Sequence, residues 1–247
     1  KFGAFSGVFT PSILTILGVI MYMRLGWVTG VAGFWGTIII ILLAHVISLT
    51  TGLSISSIAT DKKIKAGGIY YILSRSLGLP IGGSIGITLF IGTALSISMY
   101  IVGFTENFLA LPVITDFLGL ETIDINTVRI VGTSTLVFLV VIALISTSIA
   151  IKTQFFILGA IFLSLISIAV GFFLSAPETA VESAEKVPPF MDYSFDVVFA
   201  IFFPAVTGFT AGVALSGDLK DPKNDIPKGT MLAIFTGLLV SSPSCSA

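Results

Sequence analysis

The sequence predicts an all-α, polytopic membrane protein, and three observations carry that prediction. The 247 residues are 55% apolar and only 10% charged, whereas a soluble domain carries about 25% charged residues. The mean hydropathy is +1.09, and so few charges cannot cover a water-facing surface of this size. Apolar stretches of about 18 residues or more, the length that crosses a bilayer, recur six times along the chain. These features exclude a soluble enzyme, a disordered chain and a nucleic-acid binder. The net charge of −1 gives no reason to expect polyanion partners. A single cysteine, Cys245, and a single histidine, His45, exclude an internal disulfide, a thiolate cluster and a histidine metal site.

The first span is read at 5–28. It is too long and too polar at its far end for a cleaved signal peptide. The second, at 32–57, carries His45 among apolar neighbours, where a satisfied interior histidine is expected rather than a proton relay. Residues 67–78 read as a short amphipathic helix with Tyr70 and Tyr71 against the bundle, structural rather than ligand-binding. The third span is 81–111, the fourth 127–150, the fifth 153–174 and the sixth 196–215. The stretch 218–228 alternates Asp218, Lys220, Asp221, Lys223, Asp225 and Lys228. It is expected as a solvated loop capped by Pro222 and Pro227. A seventh run, 229–240, is too short to span before it breaks into Ser-Ser-Pro-Ser-Cys-Ser-Ala. The expectation is one truncated transmembrane domain over 1–247: a fragment, or a chain whose reading frame is disrupted near Ser241.

Positive charge orients the bundle. Lys1, Lys62, Lys63, Lys65, Arg75, Lys152, Lys220, Lys223 and Lys228 fall on one side, against Arg129 and Lys186 on the other. The positive-inside rule then places the N-terminus in the cytoplasm, as expected of an integral, multi-pass protein of the cell membrane. The opposite loops hold Asp116, Glu121, Asp124, Glu178, Glu182, Glu185 and Asp192, with Asp196 at the start of the sixth span. They read as solvated loops.

Two spans carry interruptions that a lipid-facing helix does not need. One is 12–20, centred on Thr15 and Gly18; the other is 202–212, holding Pro204, Thr207, Gly208 and Gly212. Interrupted helices at corresponding positions of two halves mark the midplane site of a transporter, and close packing through small residues is the other reading. Pro204 has no N–H, so the carbonyl near Ala200 loses its partner. Unwinding leaves carbonyls at the end of one half-helix, which attract a cation, and N–H groups at the start of the next, which attract an anion. Oxygen ligands without carboxylates favour a monovalent cation over Mg²⁺ or Ca²⁺. Thr15 and Thr207 are candidate oxygen donors, and Tyr100 is the phenol placed to reach them. Gly18 and Gly208 mark the two half-helix starts. Arg24 lies six residues past Gly18 and Glu106 six past Tyr100, each about 9 Å further along its helix. They are expected to pair above the site as an outer gate, with snorkelling of each to the headgroups as the alternative.

Several motifs are familiar in combination. They are Ile16-Leu17-Gly18-Val19-Ile20 with Arg24-Leu25-Gly26-Trp27, Gly67-Gly68-Ile69-Tyr70, and Met99-Tyr100-Ile101-Val102-Gly103-Phe104-Thr105-Glu106. To these add Phe202-Phe203-Pro204-Ala205-Val206-Thr207-Gly208 and, most specific, Ser216-Gly217-Asp218-Leu219-Lys220-Asp221-Pro222. With these the chain, from about Gly7 to Leu239, resembles the N-terminal half of the transporter domain of the cation–chloride cotransporter family, within the amino acid–polyamine–organocation superfamily. The resemblance implies a LeuT-type fold of two inverted five-helix repeats, here incomplete, and symport of chloride with potassium, sodium or both. It carries a potassium site over to Thr15, Ile16, Tyr100, Pro204 and Thr207. It carries an outer chloride site to Gly18, Val19 and Ile20, an inner one to Gly208, Phe209 and Thr210, and a charge cluster to Arg24 and Glu106. Thr15 stands where the family usually has Asn. The sodium-site serines of helix eight and the inner-chloride tyrosine of helix ten are not in this sequence.

An amino acid permease of the same superfamily is the second reading, and a non-transporting subunit the third. Val19 and Ile20 are bulky where a permease needs glycine to hold a carboxylate, which favours a small spherical anion. No nucleophile stands beside a base, so an enzyme is not expected. No cofactor is expected. The expected ligands are K⁺, Na⁺ and Cl⁻, and the expected partners are the bilayer, the C-terminal helices that complete the fold and, in a homodimer, a second copy.

Overall fold

The computed structural model describes residues 1–61, 67–119, 123–145, 147–174 and 193–241. Lys62, Lys63, Lys65, Glu121, Glu178, Glu182, Glu185, Lys186, Asp192 and the tail with Cys245 lie outside the described residues.

A π-helical turn, Phe5–Phe9, leads into α1, Thr10–Ile16, with Pro11 in its first turn, where a missing N–H is harmless. The helix stops at Leu17 (φ −82°, ψ 30°) and restarts as α2, Val19–Asp61. At 43 residues, α2 would be about 65 Å long if straight, twice a bilayer. It is not straight. Gly33 sits at φ 68°, ψ 172°, a backbone conformation that only glycine adopts without strain. The Thr37 hydroxyl reaches back 3.4 Å to the Val28 carbonyl. The chain therefore doubles back at Gly33, and α2 supplies both the second half of the first span and the whole of the second. The turn falls slightly later than the 29–31 gap read from the sequence.

Next come α3, Gly68–Leu77, and α4, Leu79–Leu109, joined through Gly78. The short α3 buries Gly68 and Ile72 and exposes Arg75, whose guanidinium lies 5.7 Å above the Tyr71 ring. A short α5, Pro112–Leu118, follows, opened by Pro and closed by left-handed Gly119; the sequence reading had only loop there. Then come α6, Ile125–Ile145, and α7, Thr147–Leu174. The sixth span is divided into α8, Phe195–Phe202, a 3-10 stretch, Phe203–Phe209, and α9, Thr210–Ala214.

The last element corrects the sequence reading. The stretch expected as a loop is the start of α10, Pro222–Ser241, with Pro227 inside the helix. The Asp225 carboxylate accepts from the Asp221 N–H at 3.0 Å, which satisfies a backbone donor at the helix start. Asn224 Nδ2 donates to the Asp221 carboxylate at 2.6 Å, and Pro222 fits the first turn.

The core lies where α1, α2, the sixth span and α10 meet. Its buried residues include Val8, Ile13, Ile41, Phe202, Val213, Ile226 and Ile234. α4, α6 and α7 surround it and, among the described residues, leave most of their side chains exposed. Those exposed faces are apolar, as lipid requires. One further tie uses the most specific motif. Phe2 donates to the Asp218 carbonyl at 2.8 Å and accepts from Lys220 N–H at 2.8 Å, forming a β-bridge to Leu219.

Candidate ion site between the interrupted helices

The two interruptions face each other at the centre of the core. α1 ends and α2 begins against the 3-10 stretch that Pro204 opens. Gly208 is the contact point. A Cβ there would lie 2.5 Å from Thr15 Cβ and 2.9 Å from Ile16 N, so no larger residue fits without moving backbone. The Thr15 hydroxyl has the Gly208 carbonyl at 3.0 Å, and within its own helix the Pro11 and Ser12 carbonyls at 2.7 and 3.0 Å.

Two cavities flank the breaks. One, of about 380 Å³, is lined by Pro11, Leu14, Thr15, Gly18, Tyr100, Gln154, Ala211 and Leu215. It joins Thr15, Gly18 and Tyr100, three of the residues expected at the site. The other, of about 530 Å³, is lined by Val19, Ile20, Met23, Arg24, Ser98, Met99, Val102, Gly103, Glu106, Ala200, Ile201 and Pro204. It joins Val19, Ile20, Arg24, Glu106 and Pro204. Arg24 and Glu106 are both exposed and border this one cavity. No ion pair within 4.0 Å joins them among the described residues.

The remaining expected residues fall elsewhere. Ile16 is buried, its side chain against Gly237 of α10. Gly208 and Phe209 are buried in the contact itself. Thr207 is exposed and donates to the Pro204 carbonyl at 2.9 Å, and Thr210 is half-buried at the start of α9. His45 is buried, with Nδ1 2.9 Å from the Ile41 carbonyl and Nε2 without a hydrogen-bond partner among the described residues.

A profile of the family described as Amino acid permease matches residues 7–245. The chain belongs to that family. Within the permease family its motifs resemble those of the cation–chloride cotransporters, and curated proteins similar to it include members of solute carrier family 12. It is 37% identical to "Solute carrier family 12 member 2" of Mus musculus, over 99% of this chain and 22% of that protein. It is 38% identical to "Bumetanide-sensitive sodium-(potassium)-chloride cotransporter" of Manduca sexta, over 97% of this chain and 24% of that protein. It is 40% identical to "Solute carrier family 12 member 3" of Mus musculus, over 95% of this chain and 25% of that protein. The chain thus spans about a quarter of the length of the curated relatives it matches.

In this permease-family chain three polar residues do work that sequence reasoning missed. Ser12 is buried, donates to the Phe209 carbonyl at 2.8 Å and accepts from Gly212 N–H at 3.2 Å. It thereby satisfies two backbone groups on either side of the start of α9, which unwinding would otherwise leave unpaired. Ser48 of α2 donates to the Val206 carbonyl inside the 3-10 stretch at 2.9 Å. Gln154 brings an amide to the Tyr100 cavity. The signal for all three was a small or polar residue on the inward face of an apolar helix.

Proposed function

We propose that this chain carries the ion path of a secondary-active symporter that moves chloride together with a monovalent cation, potassium, sodium or both. One observation carries the reading: the breaks in the first and sixth spans meet at the core with backbone groups in place of side-chain charges. The C-terminal end of α1 offers carbonyl oxygens, and the first turn of α2 offers the N–H groups of Gly18, Val19 and Ile20. A cation site drawing on Thr15, Ile16, Tyr100, Pro204 and Thr207 would use the first. Chloride held at Gly18, Val19 and Ile20 would use the second, with an inner chloride at Gly208, Phe209 and Thr210. Arg24 and Glu106, facing one cavity, would close over the path. With the basic loops in the cytoplasm, the Arg24 cavity opens outward. The printed name of the Manduca sexta relative, a sodium-(potassium)-chloride cotransporter, supports the same ion classes.

The permease-family profile keeps an amino acid substrate as the second reading. Against it, Val19 and Ile20 border the cavity where a substrate carboxylate would need to approach the backbone. The test is uptake of radiolabelled chloride into vesicles under an inward potassium or sodium gradient. Symport predicts uptake that disappears when choline replaces both cations. Uptake indifferent to choline, or an amino acid taken up in place of chloride, contradicts it.

A further inference from the structure

We infer that Gln154 is a cation-binding residue of the ion path, its amide completing a site with Tyr100 and the carbonyl end of α1. The inference rests on the symport reading and names a residue that reading does not use. Gln154 is the single glutamine of the chain. It begins the α7 stripe Gln154, Leu158, Ile161 and Leu165, whose three apolar members pack on the core. Spacings of four, three and four keep these residues on one helical face. The neighbouring Phe155 ring stacks on Phe5 at 6.4 Å, which fixes α7 against the first span. A leucine would suit the first place in that stripe, yet an amide stands there.

The oxygen of that amide stands alone. Gln154 Oε1 is buried and has no hydrogen-bond partner among the described residues. The Thr15 hydroxyl of the same cavity is engaged with the Gly208 carbonyl. A carbonyl oxygen held away from water without a donor costs free energy, which a ligand would recover. The side chain lines the cavity shared by Leu14, Thr15, Gly18 and Tyr100. A Cβ on Gly18 would lie 3.0 Å from the Thr15 carbonyl oxygen and 3.3 Å from that of Leu14, so both oxygens crowd this point. They belong to the C-terminal end of α1, the partly negative end. A half-turn of the amide exchanges its oxygen and nitrogen, so the carbonyl can face the cavity.

The residues lining this cavity are neutral, and none carries a carboxylate. Carbonyl, amide and phenol oxygens without fixed charge suit a monovalent ion rather than Ca²⁺ or Mg²⁺. Gln154 would therefore set cation affinity, in a cavity that it shares with Gly18 of the proposed outer chloride site.

The test compares the parent protein with Gln154→Leu and Gln154→Glu. Binding of radiolabelled rubidium and of radiolabelled sodium is measured on purified protein, and chloride-dependent uptake of each in vesicles. Gln154→Leu is expected to raise the half-saturating concentration of one cation about tenfold, the scale of one lost ion–dipole contact. The chloride half-saturation moves less than that of the cation, the amount in the membrane stays unchanged, and the cation affected identifies the occupant. Gln154→Glu is expected to tighten that cation and to make binding sensitive to calcium. If Gln154→Leu fails to reach the membrane, Gln154→Glu decides alone. Unchanged cation binding in the variants that reach the membrane, or a change in chloride dependence only, overturns the inference. A parent that binds the cation but takes it up without chloride would instead overturn the symport reading and leave Gln154 standing.

Discussion

Gly208 and Tyr100 are where single atoms decide most. Replacing Gly208 by Ala puts a methyl into the Thr15 backbone, and overpacking of this kind costs about 1–3 kcal/mol. Gly208→Ala is therefore expected to lower the melting temperature of the purified protein and to reduce transport, whereas Ala at Gly83, whose Cβ would meet nothing within 4 Å, changes neither. Equal melting temperatures for the two variants would contradict the contact. Tyr100→Phe removes one oxygen and leaves the ring. It is expected to raise the half-saturating rubidium concentration about tenfold with unchanged membrane abundance. Parent-like uptake at limiting rubidium would remove Tyr100 from the site. Thr15 and Tyr100, chosen from the sequence as oxygen donors, line one cavity in the structure. The hydroxyl partners could not be chosen that way. That Thr15 meets the Gly208 carbonyl depends on two residues far apart in the chain.

At the scale of elements, the interruptions were legible and the joints were not. Pro204 with Gly208 marks an unwound stretch through a missing N–H, and the structure has a 3-10 segment there, Phe203–Phe209. Pro204→Ala returns the donor that α8 would use to continue. It is expected to raise the melting temperature while lowering maximal chloride-dependent uptake several-fold. A parent-like uptake rate with the higher melting temperature would show that the break is not needed. Alternating charge masks the start of α10, where Asp221-Pro222 is a helix-start signal. The turn at Gly33 is invisible to hydropathy, since apolar residues flank it on both sides. Arg24 and Glu106 sit on different elements, α2 and α4, yet border one cavity. If they close over the path, reversing either charge lowers uptake and reversing both restores much of it, a coupling that a double-mutant cycle measures. Additive losses would leave each charge acting alone.

For the whole molecule, composition alone gave the membrane class, because so few charges leave no other solvent for this surface. The central packing of the first, second and sixth spans with α10 is a finding of the structure, in which Gly208, Gly212, Gly229 and Gly237 each meet the first span. What pattern could not supply was the division of the expected site residues between two cavities, with Tyr100 and Thr15 on one side of the break and Pro204 on the other. The coupling of cation to anion across the paired breaks is tested most directly by rubidium uptake into vesicles containing the protein, with chloride outside replaced by gluconate. The account predicts that uptake falls to the background of empty vesicles and recovers when chloride returns. Rubidium uptake that continues unchanged in gluconate would contradict it.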